Sequence, residues 1–127
     1  MSQPEPKAQD VLPAWVDAAL LQGMLRGIER ESLRMQSDGF LSQHAHPQAL
    51  GSALTHPHIT TDYSEALMEF ITPPQSSIQH ALDYLRDIHS VVHQHLGEGE
   101  KLWPLSMPCM LDETDDNIPL AQYGSSN

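Results

Sequence analysis

The feature that most constrains the fold is a stripe of apolar side chains that recur every three or four residues near the middle of the chain. Its members are Ile78, Ala81, Leu82, Leu85, Ile88, Val92 and Leu96. This spacing is that of one face of an α-helix. Ser76 or Ser77 offers an N-cap and Gly97 a stop, so the sequence predicts a helix over residues 77–96. One apolar face needs a surface to cover, and a sheet formed by the same chain would provide one.

Residues 27–34 (GIERESLR) fit either a helix or a strand. Their Glu and Arg content favours a helix, but the turn signal at residues 37–39 (SDG) favours a hairpin in which residues 40–41 begin a return strand. As a strand, the segment would present Glu29 and Glu31 on one face.

Residues 64–72 (SEALMEFIT) are equally ambiguous and end at two prolines. A strand would place Glu65, Leu67, Glu69 and Ile71 on one face and Ala66, Met68 and Phe70 on the other. A helix would place the same two carboxylates one turn apart. Both alternatives bring Glu65 near Glu69, so the spacing alone does not decide between them.

The N-terminal part of the chain divides into two segments. Residues 1–10 are polar and contain two prolines, which predicts a disordered N-terminus. Residues 11–25 carry apolar side chains at helical spacing, which predicts a helix. At 127 residues the chain fits one domain or a piece of a larger one, and we treat residues 11–127 as one such piece.

The charge of the chain excludes several classes of partner. Asp and Glu number 17 against 6 Lys and Arg, which gives a formal net charge of −11. Nucleic acids and anionic membranes attract the opposite sign, so we expect neither as a partner. The single cysteine, Cys109, has no internal disulfide partner and the N-terminus has no signal-peptide pattern, so we expect a cytoplasmic protein.

Eight histidines suggest one alternative function, a non-catalytic histidine-rich metal-binding module. They comprise two H-x-H pairs, one i, i+4 pair on the predicted helix and two further residues: His44, His46, His56, His58, His89, His93, His80 and His95. The sequence contains neither HExxH nor CxxC, so no zinc motif supports this alternative. The phosphate-binding motifs GxxxxGK[ST] and GxGxxG are also absent.

The carboxylates are more informative than the histidines. Mg²⁺ prefers oxygen ligands and often joins a few carboxylates to the phosphates of a substrate. Glu29 and Glu31 would share a strand face, and Asp62 precedes the segment that contains Glu69. Glu69 lies between Met68 and Phe70, where a carboxylate is costly unless it is paired or bound to a metal. Acids on a solvated face explain the same spacing without any site.

Several blocks of the sequence resemble proteobacterial glutamate–cysteine ligase. Residues 27–34 resemble the G-L-E-R-E-T-L-R stretch near the start of that family. The likeness continues, in the same order, through residues 46–56, 59–73, 103–109 and 121–127. It covers nearly everything from Val11 onward, so the chain is identified as similar to the N-terminal portion of this family.

The resemblance implies a fold, a reaction and a ligand set. The fold is α+β, part of a glutamine synthetase-like catalytic domain in which an antiparallel sheet with flanking helices holds magnesium on inward carboxylates; it is incomplete in this chain. The reaction is the ATP-dependent ligation of L-cysteine to the γ-carboxyl of L-glutamate, the first step of glutathione synthesis. The metal is Mg²⁺ (or Mn²⁺), and its implied ligands are Glu29, Glu31, Asp62 and Glu69. Tyr63 stands where the family has an aromatic residue near the cysteine pocket.

Length is the main departure from the family pattern. The resemblance covers only the first part of such an enzyme, so we expect this chain alone to be inactive and poorly folded. The sequence does not give its oligomeric state. Besides the ligase and the histidine module, a third hypothesis is an interaction protein whose helix at residues 77–96 docks on a partner.

Overall fold

The computed structural model describes residues 13, 15–112 and 118–123. In chain order, its main elements are β1 (Glu29–Met35), β2 (Ile59–Asp62), β3 (Ser64–Ile71), α1 (Ile78–His95) and β4 (Lys101–Leu102). The strands form an antiparallel sheet in the order β2-β3-β1-β4. This α+β architecture confirms the fold class that the resemblance implied.

Helix α1 confirms the prediction from the apolar stripe. The Ser77 side chain caps its N-terminus by accepting a hydrogen bond from the backbone N–H of His80, and Leu96 is the C-cap residue before Gly97. The helix packs through Ile88 and Val92 on one face of the sheet. Other stripe residues, such as Ile78 and Leu82, remain exposed in the described structure.

Strand β3 confirms the strand interpretation of residues 64–72 and excludes the helical one. Its side chains alternate across the sheet, and Ala66, Met68 and Phe70 are 0% exposed. Met68 and Phe70 join Leu50, Ile59, Ile88 and Val92 in the main core beneath α1. The opposite face of β3 therefore carries Leu67, Glu69 and Ile71, which are only partly buried.

Strand β1 confirms the strand interpretation of residues 27–34, but the hairpin is incomplete. The predicted turn is present, with Gly39 at φ 91°. Residues 40–41 form only isolated bridges, one of which joins Met35 to Leu41. The reason is that β3 and β4 occupy the two edges of β1, so the main partner of β1 is β3 and not the segment after the turn.

The predicted helix over residues 11–25 is wrong. The structure has a short 3-10 helix at Ala18–Leu21, and Gly23 follows it with φ 74°. Trp15 is 76% exposed and Leu20 is 63% exposed, so these side chains find no surface to cover within the described residues. A short amphipathic segment without packing is only marginally helical in water. Residues 1–12, including the predicted disordered N-terminus, and residue 14 lie outside the described residues.

Among the described residues, no helix has both the length and the apolar content to cross a bilayer.

Candidate functional site

A row of carboxylates lies on the face of the sheet opposite α1. Glu31 on β1 pairs directly with Glu69 on β3, and Thr60 on β2 pairs with Glu69 from the other side. Glu29 is two residues before Glu31 and therefore shares its face. Directly opposed residues have Cβ atoms about 5 Å apart, so the two central carboxylates are neighbours.

Asp62 joins this group at the end of β2. The β2–β3 register shifts between Thr61 and Asp62, so that Asp62 pairs with Ser64. Burial raises the pKa of Glu69, and the negative charges of Glu29, Asp62 and Glu31 raise it further. The structure thus brings the four predicted ligands into electrostatic contact around Glu69.

The four carboxylates do not form a ready-made metal cage. Among the residues that the structure describes, no group of three or more His, Cys, Asp or Glu side chains is arranged to hold an ion by itself. Mg²⁺ commonly takes one or two carboxylates and completes its six ligands with water and substrate phosphates. A cluster of hard oxygen donors whose mutual repulsion disfavours the charged form of Glu69 fits such a shared site.

A groove begins at the acidic row. Its volume is about 650 Å³, and its walls are residues 29–33, Leu67 and the loop at residues 105–108. The Arg30 side chain donates a hydrogen bond to the Pro104 carbonyl oxygen (3.3 Å), and the Ser32 hydroxyl donates to that of Trp103 (2.8 Å). Strand β1 therefore ties down the chain that leads into the loop, and the acidic row opens into a space that fits a small polar molecule.

Tyr63 lies next to the acidic row in a strained conformation. Its φ is 54°, in the left-handed region that bulky residues rarely adopt, and its side chain is 82% exposed. No aromatic packing explains this conformation, because the ring extends into solvent. Strain of this kind is concentrated at functional sites, which agrees with the location implied by the resemblance.

Glu65 shares a strand and a face with Glu69 but has a different environment. It is 5% exposed, and its two carboxylate oxygens accept hydrogen bonds from the backbone N–H groups of His46 (2.8 Å) and Gln122 (2.6 Å). The sequence pattern places the two carboxylates together, but their surroundings differ. Glu65 is buried and hydrogen-bonded, whereas Glu69 is surrounded by like charges. The partners of Glu65 are remote in sequence, so no local pattern could reveal this difference.

A buried ion pair was also missed by the sequence analysis. The Arg34 guanidinium donates to the Glu100 carboxylate (3.0 Å) and to the backbone carbonyls of His44 (2.7 Å) and Glu65 (2.9 Å). Burial alone would raise the pKa of Glu100, but hydrogen bonds from Ser42 and Gly97 and the charge of Arg34 leave it lowered. The pair joins β1 to the loops on both sides of the sheet.

The histidines do not assemble into a metal centre within the described part of the chain. His58 Nδ1 is 2.9 Å from the Ile71 carbonyl, and the His89 ring packs edge-on against Phe70 at 4.8 Å. Burial lowers the pKa of His89, and the charges of Arg30 and His93 lower it further. These histidines act as partners of the sheet and its core, which does not support the alternative of a histidine-rich metal-binding module.

Comparison with known proteins gives consistent matches. The family model described as glutamate–cysteine ligase matches residues 11–127. The glutamate–cysteine ligase of Alcanivorax borkumensis is 58% identical over 110 residues, which cover 87% of this chain and 21% of that protein. The same-named protein of Sodalis glossinidius is 55% identical over 116 residues, covering 90% and 22%. The chain therefore spans about a fifth of the length of these curated relatives.

Two crystal structures match the fold. Glutamate–cysteine ligase from Francisella tularensis, in complex with AMP, has a TM-score of 0.76 and 40% identity, covering 80% of this chain and 20% of that one. A bifunctional glutathione synthetase from Pasteurella multocida has a TM-score of 0.71 and 38% identity, covering 76% and 13%. Since the family model spans all but the first ten residues, this chain belongs to the glutamate–cysteine ligase family.

Proposed function

We propose that this chain supplies one wall of the active site of an ATP-dependent glutamate–cysteine ligase. The reaction would join the amine of L-cysteine to the γ-carboxyl of L-glutamate. The observation that carries the proposal is the convergence of four carboxylates from three strands around Glu69, beside a groove that Glu29 and Glu31 line. Burial and the charges of the other three carboxylates raise the pKa of Glu69, which supports a crowded group over acids spread across a solvated face.

The chemistry explains the need for such a cluster. A carboxylate is a poor acyl donor, so the γ-carboxylate of glutamate would first accept the terminal phosphoryl group of ATP, which releases ADP. The cysteine amine would then displace phosphate from the γ-glutamyl phosphate and form the amide bond. The first step brings an anionic acceptor to an anionic nucleotide, and it depends on positioning and charge stabilisation.

Glu29, Glu31, Asp62 and Glu69 would hold Mg²⁺ (or Mn²⁺) in this site. The ion would neutralise the phosphate oxygens and the acceptor when bound. The sheet contributes by fixing the four carboxylates on one face before any ligand arrives, because the β1–β3 register places Glu31 opposite Glu69. A cation would also relieve the repulsion that raises the pKa of Glu69.

Two further assignments rest on the relatives. The Francisella tularensis ligase binds AMP in its crystal structure, which supports ATP as a substrate here. The exposed ring of Tyr63, adjacent to Asp62, supports a contact with cysteine, as the resemblance implies. We further propose that this chain is inactive alone, because its relatives are about four times as long.

A chimeric enzyme would test the proposed function. Residues 11–127 replace the matching segment of the Alcanivorax borkumensis ligase, and γ-glutamylcysteine formation is measured with ATP and Mg²⁺. We expect activity from the chimera and none from this chain alone. Glu31→Gln and Glu69→Gln should each lower kcat/KM about a hundredfold or more, beyond what loss of an outer-sphere partner costs.

Glu98→Gln is the matched control, since Glu98 is an exposed carboxylate after α1 and far from the row in sequence. It should leave kcat/KM unchanged. A chimera that has the thermal stability of its parent but forms no product would contradict the proposal. So would full activity in both carboxylate variants, and product formed by this chain alone would contradict its expected inactivity.

A further inference from the structure

Residues 118–123 lie against the bend that joins β2 to β3. The backbone N–H of Ala121 donates to the Tyr63 carbonyl (2.9 Å), and that of Glu65 donates to the Pro119 carbonyl (2.8 Å). The Tyr123 hydroxyl donates to the Thr61 carbonyl (2.8 Å). These three hydrogen bonds hold the backbone at Tyr63 and at the residues two positions before and after it.

The Glu65 carboxylate connects this segment to a second one. One oxygen accepts from Gln122 and the other from His46, so a single buried side chain joins residues 118–123 and the loop at residues 44–46 to the start of β3. Hydrogen bonds to a carboxylate are stronger than those to a neutral acceptor. Glu65 therefore contributes to holding both segments beside the bend.

The bend depends on its surroundings, because Asp62 and Ser64 pair across it while Tyr63 itself stays in a strained conformation. Tyr63 has a φ of 54°, and its ring is 82% exposed, so ring packing does not offset the backbone strain. A non-glycine residue persists in this conformation only when the surrounding structure over-determines it. Here the surrounding structure is the set of bonds from residues 118–123 and Glu65.

We propose that Glu65 and Tyr123 are positioning residues that hold the Asp62–Tyr63 bend in its strained form. The bend fixes the direction of two adjacent side chains at once, with Asp62 in the acidic row and Tyr63 at its rim. This assignment rests on the proposed function for the roles of Asp62 and Tyr63. In this assignment Glu65 and Tyr123 act through the bend and not by contact with the substrate.

The first test measures the bend directly in the full 127-residue chain by NMR. The three-bond coupling between the amide and α protons reports the φ of Tyr63, and hydrogen exchange reports the Ala121 amide. Tyr123→Phe removes one hydroxyl, and Glu65→Gln replaces an acceptor oxygen with an amide that leaves one N–H unpaired. In both variants we expect the φ of Tyr63 to average toward negative values and the Ala121 amide to exchange faster.

The second test asks whether the bend serves the acidic row. Mn²⁺ is titrated into each variant, with free Mn²⁺ measured by electron paramagnetic resonance. Glu65→Gln and Tyr123→Phe should each weaken Mn²⁺ binding by about tenfold, as loss of an outer-sphere partner does. Glu69→Gln should weaken it further, and Glu98→Gln, which removes an exposed charge, should not change it.

The outcomes separate the two proposals. If the wild-type chain binds no Mn²⁺, the proposed metal site is wrong for this chain. The coupling constant of Tyr63 then still decides whether Glu65 and Tyr123 hold the bend. Unchanged φ and Mn²⁺ affinity in Tyr123→Phe and Glu65→Gln would overturn the positioning role of these two residues, even if both variants lost thermal stability. If Glu65→Gln does not fold, Tyr123→Phe alone decides the question.

Discussion

The two faces of the central β1–β3 pair differ in chemistry although they share a backbone: one is apolar and buried, and the other carries carboxylates. Toward α1, Met68 and Phe70 are fully buried and pack on Ile88 and Val92. On the other side, Glu69 lies between those two residues in sequence and faces a like charge. Successive residues of one strand therefore alternate between the apolar core and the acidic row.

The comparison shows what the acidic face requires from the apolar one. Like charges directly opposite each other destabilise a sheet, so the carboxylates are held together only because burial on the reverse side is strongly favourable. A bound cation would relieve the repulsion between these carboxylates. Burial of the apolar face offsets the repulsion when no cation is bound, and the following predictions test this division between the faces.

The largest effect is expected from Phe70→Ala on the apolar face. Phe70 is fully buried beneath α1, so truncation should lower the free energy of unfolding by about 3–5 kcal/mol, as removal of a buried aromatic ring does. Urea denaturation measures the change. The control is Phe40→Ala, because Phe40 is 41% exposed and its loss should cost less than about 1 kcal/mol. Equal losses in the two variants would contradict the assignment of the core.

Glu100→Gln should have the next largest effect. It removes one partner of the Arg34–Glu100 ion pair, which is the exception to the division between an apolar face and a charged one. Arg34 is a charge on the buried side of β1, and loss of its partner should cost about 3 kcal/mol at neutral pH. The folded-state pKa of Glu100 is below its ordinary value of 4.5. Its contribution is therefore complete above pH 4.5 and is lost as pH falls through the lowered pKa.

Chemical denaturation at several pH values would measure this dependence. The wild-type chain should lose part of its advantage over Glu100→Gln as the solution is acidified below pH 4.5. Glu98→Gln changes an exposed carboxylate two residues away and should follow the wild-type curve. A constant difference between wild type and Glu100→Gln at every pH would show that the ion pair does not contribute through its charge.

The smallest effect, and one of opposite sign, is expected from Glu69→Gln. Removing a charge from the acidic row should stabilise the fold by about 0.5 kcal/mol at low salt, because cross-strand like-charge repulsion is of that size. The gain should shrink as salt screens the remaining charges. It should also vanish in the wild-type comparison when acid protonates Glu69, whose pKa is raised. A loss of stability at low salt would show that the row is not repulsive.

Part of the fold is predictable because it depends on local patterns. The stripe at residues 77–96 predicts α1 to within a residue or two. The strand alternative for residues 64–72, which the spacing alone did not separate from a helix, has the faces of β3. The helix predicted over residues 11–25 fails for a physical reason. Its spacing is helical, but Trp15 and Leu20 have no surface to pack on among the described residues, and pattern alone does not stabilise a helix.

The environment of the candidate-site residues is not predictable from the sequence. The resemblance names Glu29, Glu31, Asp62 and Glu69, and the structure brings these four together. The sequence does not show that Glu65 is buried and satisfied, because its partners lie 19 and 57 residues away. The same holds for the bond between Arg34 and Glu100, which are 66 residues apart. Long-range partners leave no periodic signal.

The strand order has a kinetic consequence. Because β3 lies between β2 and β1, the β1–β3 ladder joins Glu31 to a residue about forty positions later in the chain. Contacts of such high sequence separation require closure of a long loop and are slow to form. The neighbouring β2–β3 pair and α1 depend on shorter-range contacts, so they are able to form earlier. The acidic row is complete only when this long-range pairing has formed, and a cation in the refolding buffer should therefore slow unfolding more than it speeds folding.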